Sequence, residues 1–176
     1  YVGKTGKAVT VLAPSGTIEI DGRNVTGEAP AKRNRRRDSR VAAMQFLYSW
    51  EVQRHGDIVT ALYDFFGEQP QAREYYAFAE ELIHGVIRDQ ALIDEVIVRF
   101  AQNWAFERVA KVDLATLRLA IFELLRRTDI PPVVTINEAI DIAKVFSTEE
   151  SKRFVNGILD RYKATLGRDP RKAEGA

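Results

Sequence analysis

Apolar residues recur at helical spacing from about Asp38 onward, and nothing after residue 37 alternates with the period of two that a half-buried strand needs. Val41–Arg54 is rich in helix formers and aromatics, and His55-Gly56 ends it. Asp57 is placed to cap a short helix running through Phe66, after which Gly67–Pro70 breaks the chain. Tyr76, Ala79, Ile83 and Val86 carry a segment from Pro70 to about Ile87. Asp89 is then placed to cap another, striped by Leu92, Ile93, Val96, Ile97 and Phe100. Leu114, Leu117, Ile121, Leu124 and Leu125 form the cleanest stripe, which stops before Asp129-Ile130-Pro131-Pro132. Thr135 with Glu138, and Ser147 with Glu150, have the spacing of capping boxes and predict helices through Phe146 and to about Leu166. The pattern therefore predicts an all-α bundle of six or seven helices.

The first 34 residues differ in kind. Val9–Leu12 and Thr17–Ile20 are short β-branched runs parted by Ala13-Pro14-Ser15-Gly16, with Asp21-Gly22 as a second turn signal, and they predict a hairpin-like extension. The stretch G-K-T-G-K-A-V-T-V-L-A-P-S-G-T-I-E-I-D-G-R at Gly3–Arg23 resembles a piece of the small β-barrel domain that ends NfeD-type proteins. It is too short for a whole barrel, so residues 1–34 read as an extension and basic linker, 35–168 as the helical domain, and 169–176 as a polar tail. The chain opens on Tyr1 instead of Met, which leaves room for sequence upstream.

Composition narrows the chemistry. Of 176 residues 45% are hydrophobic and 29% charged, enough apolar material for a packed core. Cys is absent, so disulfides and thiolate sites are excluded, and His55 and His84 are too few and too far apart for a convincing metal or triad site. No apolar run reaches the ~20 residues of a membrane span and no signal-peptide pattern opens the chain, so a cytoplasmic protein is expected. The formal net charge of +1 conceals a segregation: residues 31–40 hold six basic residues against one acidic, and the body is mildly acidic. Such a collar neutralises phosphates and releases counterions from a nucleic acid; a solvated linker is the alternative reading.

No Gly-rich phosphate loop, H-E-x-x-H pair or nucleophile elbow is present. The carboxylate pairs Glu80-Glu81, Asp94-Glu95 and Glu149-Glu150 are sequence neighbours, which point ~100° apart on a helix and do not converge. Neither an enzyme nor a cofactor is expected. Binding chemistry is better represented. Arg37, Arg40, Met44 and Tyr48 fall within about an 80° arc of one helix. That arc joins guanidinium forks to a phenol, suited to phosphates and unstacked bases, unless Tyr48 packs in the core. Arg118 sits at the edge of the cleanest apolar stripe and needs a partner, either a neighbouring carboxylate or a bound phosphate. In the last helix Phe154 lies off the core face of Val155, Ile158, Leu159 and Tyr162, flanked by Lys152 and Arg153. It reads as a stacking platform or as satellite packing. Asn156-Gly157 inside that helix points to close packing or ligand approach.

R-R-R-D-S-R-V-A-A-M-Q-F-L-Y-S-W-E at Arg35–Glu51 resembles the opening of the NusB family of bacterial transcription antitermination factors. So do L-R-L-A-I-F-E-L at Leu117–Leu124, D-I-P-P-V-V-T-I-N-E-A-I-D-I-A-K at Asp129–Lys144 and F-V-N-G-I-L-D at Phe154–Asp160, in the family order. The resemblance implies two packed helical subdomains that bind the single-stranded boxA element of ribosomal RNA leader transcripts. It implies as partners the ribosomal protein NusE and, with it, the RNA polymerase antitermination complex. By motif position it implies RNA contacts for Arg36, Arg37, Arg40, Tyr48, Arg118, Lys152, Arg153, Phe154 and Asn156, and partner contacts for Asp113 and Glu150. Some family members self-associate over the arginine-rich end, so a homodimer is a further expectation. The long N-terminal extension and Asp38 within the collar depart from the family pattern. Two alternatives stand: the RNA-binding module of an rRNA cytosine methyltransferase-like system, and a protein adaptor that binds no RNA.

Overall fold

The computed structural model describes residues 18–20, 23–25, 34–53, 56–102 and 104–175. Six helices make up the body: α1 (Arg35–Gln53), α2 (Ile58–Gly67), α3 (Ala77–Phe100), α4 (Lys111–Arg126), α5 (Pro132–Phe146) and α6 (Glu149–Lys163), with 3-10 turns at Arg73–Tyr76 and Phe106–Arg108. Ahead of them β1 (Ile18–Ile20) and β2 (Arg23–Val25) pair antiparallel, with Glu19 opposite Asn24. The expected turns at Ala13–Gly16 and at Asp21-Gly22 lie outside the described residues. The expected strand at Val9–Leu12 lies outside the described residues.

Helix α4 organises the body. α1 and α3 pack on each other and on α4, and α5 and α6 pack on each other and on α4. Every residue from Asp113 to Leu124 is buried, so the apolar stripe read from the sequence is only the most visible side of a helix enclosed all round. One continuous core runs through both groups of helices. At its tightest point the ring of Phe122 lies directly on Gly85 of α3, where a Cβ would come within 2.0 Å of Cζ. A chain of aromatic contacts from Trp50 and Phe46 through Phe65 and Phe66 to Tyr76 and Tyr75 ties α1, α2 and the first 3-10 turn together.

Helix starts follow the sequence at one place and depart from it at three. Asp57 caps α2, accepting from the Thr60 amide at 3.0 Å. Asp89, in contrast, lies inside α3, which runs unbroken from Ala77 to Phe100; its carboxylate is taken by Arg88 and by Arg126 of α4 and is held below the usual carboxylate range by them. The capping box at Thr135 does not form, because α5 opens earlier, at Pro132, whose missing amide suits a first helical position. That frees the Thr135 hydroxyl and Glu138 for other partners. For α6 the cap is Thr148, one residue later than Ser147, accepting from the Ser151 amide at 3.1 Å.

The final segment is more than a polar tail. After α6 the chain returns along the α4–α5 turn. Arg168 donates to the Leu124 and Thr128 carbonyls at 2.9 and 3.3 Å, and the Glu174 amide donates to Thr128 O at 2.7 Å. The Val133 amide, an orphan at the start of α5, donates to Pro170 O at 3.0 Å. Residues 168–174 therefore cap the end of one helix and the start of the next.

The Gly85–Phe122 contact makes a sharp prediction. Gly85→Ala should lose about 1–3 kcal/mol of unfolding free energy. Adding Phe122→Leu should cost less in that background than in the wild type, in a denaturant-melt double-mutant cycle. Additive losses would show that the ring simply moves aside.

Candidate nucleic-acid interface

Asn34 caps α1, its Oδ1 accepting from the Arg37 amide at 3.3 Å, and the collar arginines project from the first turns that follow. Most are drawn inward by the protein itself. Arg35 donates to the Tyr75 carbonyl at 2.8 Å and to the Glu74 carbonyl. Arg37 forks onto Glu138 at 3.0 Å through both Nε and Nη2, and also reaches Asp141. Arg40, only 4% exposed, grips both oxygens of buried Glu123 at 2.7 and 2.9 Å. The Thr135 hydroxyl donates to the same Glu123 carboxylate at 2.9 Å. Asp38 accepts from the Tyr75 hydroxyl at 2.6 Å, so it staples α1 to the first 3-10 turn.

The arc of Arg37, Arg40, Met44 and Tyr48 is therefore not one continuous outer surface. It rotates into the protein at Arg40 and Met44 and emerges at Arg37 and at Tyr48, which is 37% exposed. The cause is the ring of carboxylates that α4 and α5 present to it. Arg36 differs: among the described residues no carboxylate lies within ion-pair distance of it, and its guanidinium rests over the Phe78 ring at 5.0 Å. Arg127 covers the same ring at 5.0 Å and Arg40 at 5.4 Å.

Arg118 takes the carboxylate alternative. Its Nε and Nη2 meet both oxygens of Asp94 at 2.7 and 2.8 Å, and Nη1 meets Glu51 at 2.9 Å. Lys111 closes the cluster on Glu51 at 3.1 Å. All three forks of a buried guanidinium are thus occupied, and the carboxylates outweigh the desolvation that would otherwise favour its neutral form. Asp113 sits in the first turn of α4, 4% exposed, with Oδ1 free of any hydrogen-bond partner among the described residues. Glu150 is exposed in the first turn of α6.

The α6 residues converge on a face that the sequence marked only in part. Lys152 pairs with Glu149 at 3.1 Å, Arg153 is exposed, and Phe154 and Asn156 are half-buried. Phe154 packs against the core and also against Trp104, with ring centroids 5.3 Å apart. Beyond it, Arg99 lies over Phe100 at 5.4 Å and Arg161 donates to the Phe100 carbonyl, an orphan at the end of α3. At Gly157 a Cβ would stand 3.3 Å from Arg161 Nη2, a close approach of that side chain to the helix backbone. Trp104, Arg99, Phe100 and Arg161 were not among the sequence candidates. The available signal was Trp104 itself, a large aromatic just past the end of a helical stripe. Among the described residues no group of acidic or imidazole side chains is arranged to hold a metal, and no helix is long and apolar enough to cross a membrane.

The body of the protein is all-helical, a closed core with rings and cations interleaved on one face. The profile described as "NusB family" matches residues 37–164. The transcription antitermination protein NusB of Geobacter sulfurreducens is 45% identical over 132 residues, spanning 74% of this chain and 95% of its own length. That of Oleidesulfovibrio alaskensis is 41% identical over 138 residues, spanning 75% and 89%. T. maritima NusB superposes with a TM-score of 0.68 at 39% identity, over 77% of this chain and 94% of that one. At 23% identity, the NusB chain of a complex of antitermination factors NusB and NusE with dsRNA shares the fold, with a TM-score of 0.67 over 74% and 96%. The chain belongs to the NusB family. The match begins at residue 37 and lends no support to the NfeD-type resemblance of the N-terminal stretch.

The collar arginines should separate in a denaturant melt. Arg40→Met leaves Glu123 buried and uncompensated and should cost about 3–5 kcal/mol. Arg36→Met removes an exposed cation–π contact and should cost under about 1 kcal/mol.

Proposed function

We propose that this protein is a transcription antitermination factor that binds the boxA element of ribosomal RNA leader transcripts together with the ribosomal protein NusE. In that pairing it joins the elongating RNA polymerase complex and suppresses premature termination. The observation that carries this reading is family membership over residues 37–164, in a chain that covers 89–95% of the length of the relatives described above. The relatives matched over that length are named as antitermination proteins, which favours this reading over the module of a methyltransferase-like system. The complex of NusB and NusE with dsRNA supplies the pairing for a protein of this fold.

The geometry divides the proposed contacts by accessibility. Arg36, the exposed part of Arg37, Tyr48, Lys152, Arg153, Phe154 and Asn156 present donors, charge or a ring that RNA can reach. Arg40 and Arg118 support that surface from within, since their guanidinium forks are occupied by carboxylates. Asp113 and Glu150 are the proposed acidic contacts for the partner. Glu150 is exposed for such a contact, whereas Asp113 is buried in the first turn of α4.

Titration of purified protein with a fluorescein-labelled single-stranded boxA RNA tests this directly. Binding should tighten in the presence of NusE and should exceed binding to a scrambled sequence at moderate salt. Phe154→Ala should weaken RNA binding several-fold while leaving NusE binding unchanged. Equal affinity for boxA and scrambled RNA, with and without NusE, would overturn the proposal.

A further inference from the structure

The loop after α3 carries the least economical apolar exposure in the body: Trp104, with 44% of its surface in water. A Trp placed for packing alone would bury more of its ring, because its apolar area dominates its energetics. Trp104 is nonetheless held. Its amide donates to Ala101 O at 3.1 Å, and its ring leans on Phe154 at a 40° tilt. Phe154 in turn is backed by the core, through a helix whose Val155, Ile158 and Leu159 are buried. The exposed ring is thus mounted on a rigid support. Tyr63 is more exposed, at 70%, but no ring backs it among the described residues.

Charge around the ring selects its ligand. Arg153, next to Phe154 in sequence and so ~100° from it around α6, is exposed, and its charge acts on Glu149. Arg99 and Arg161 are committed to Phe100, but their positive charge remains on the same side of the fold. A flat aromatic surface on a positively charged side of the fold suits a base of a nucleic acid: the ring takes the π-face, and the surrounding charge favours the phosphates. Bases within a duplex are already stacked on both sides and cannot offer that face.

We infer that Trp104 stacks an unpaired base of single-stranded RNA, with Phe154 as its backing. This rests on the RNA-binding reading above and adds to it a residue. The stacking ring lies in the loop between α3 and α4, and the site requires one base free of its neighbours.

Tryptophan emission makes the inference directly readable. The other Trp, Trp50, is partly buried and stacked on Phe46 at 6.1 Å, so it contributes a background that the Trp104→Phe protein measures. Wild-type protein is titrated with single-stranded boxA RNA and with the same sequence as a duplex, following emission, while fluorescence polarisation of the labelled RNA reports binding independently. The single strand should quench Trp104 emission with the midpoint that polarisation gives, and the duplex should not. Trp104→Ala should weaken single-strand binding about ten-fold, and Trp104→Phe, which keeps a ring, by less. A thermal melt of each variant separates loss of contact from loss of fold. RNA that binds without quenching, with Trp104→Ala within two-fold of wild type, overturns the inference and leaves the RNA-binding reading standing. Equal quenching by the duplex overturns it as well. RNA that fails to bind wild-type protein overturns both.

Discussion

The buried pairing of Arg40 with Glu123 sets the terms for the rest of the molecule. Helix α4 is enclosed on every side, yet it carries Glu123 and Arg118 in its interior, five residues or about 7.5 Å apart along the axis. Neither charge survives there uncompensated. Glu123 is answered from α1 by Arg40 and from α5 by Thr135, and Arg118 is answered from α1 by Glu51 and from α3 by Asp94. Apolar packing would tolerate α1 sliding or rotating by part of a turn. Two bidentate grips from opposite signs do not. The ion pairs add little net stability over well-packed hydrocarbon, but they reject wrong registers of α1, α3 and α5 on α4.

This division of labour explains why a cluster of arginines at the start of α1 is only partly a binding surface. Arg37 and Arg40 hold α1 to α4 and α5, Arg35 holds it to the turn before α3, and Arg36 is left at the surface without a close ion pair among the described residues. Surface cations are supplied instead by α6 and by the end of α3, where Arg153, Arg99 and Arg161 accompany Phe154, Phe100 and Trp104. The first group sets the frame on which the second is displayed.

The architecture was legible because the stripes of α3 through α6 are long and regular. The Leu114–Leu125 stripe marked the central helix, although a one-sided pattern could not reveal that α4 is buried all round. Helix starts were less legible, for a physical reason. Thr135, Glu138 and Asp89 have side chains that serve equally as caps or as tertiary partners, and the choice depends on residues far away: Glu123, Arg37 and Arg126. The same ambiguity governs Arg40 and Arg118, whose carboxylates are 83 and 24 residues distant for the closest pairings. Phe154 could be singled out because its departure from the core face is local to one helix. Trp104 could not, since its significance comes from lying against a ring fifty residues later.

Arg36, near the entrance to α1, and Arg127, at the exit of α4, both lie over the Phe78 ring, while the Glu174 amide is bonded to Thr128, the residue after Arg127. The first turn of α1, the exit of α4 and residue 174 therefore meet at one corner of the helical body, and a graft made at any of the three would sit beside the other two.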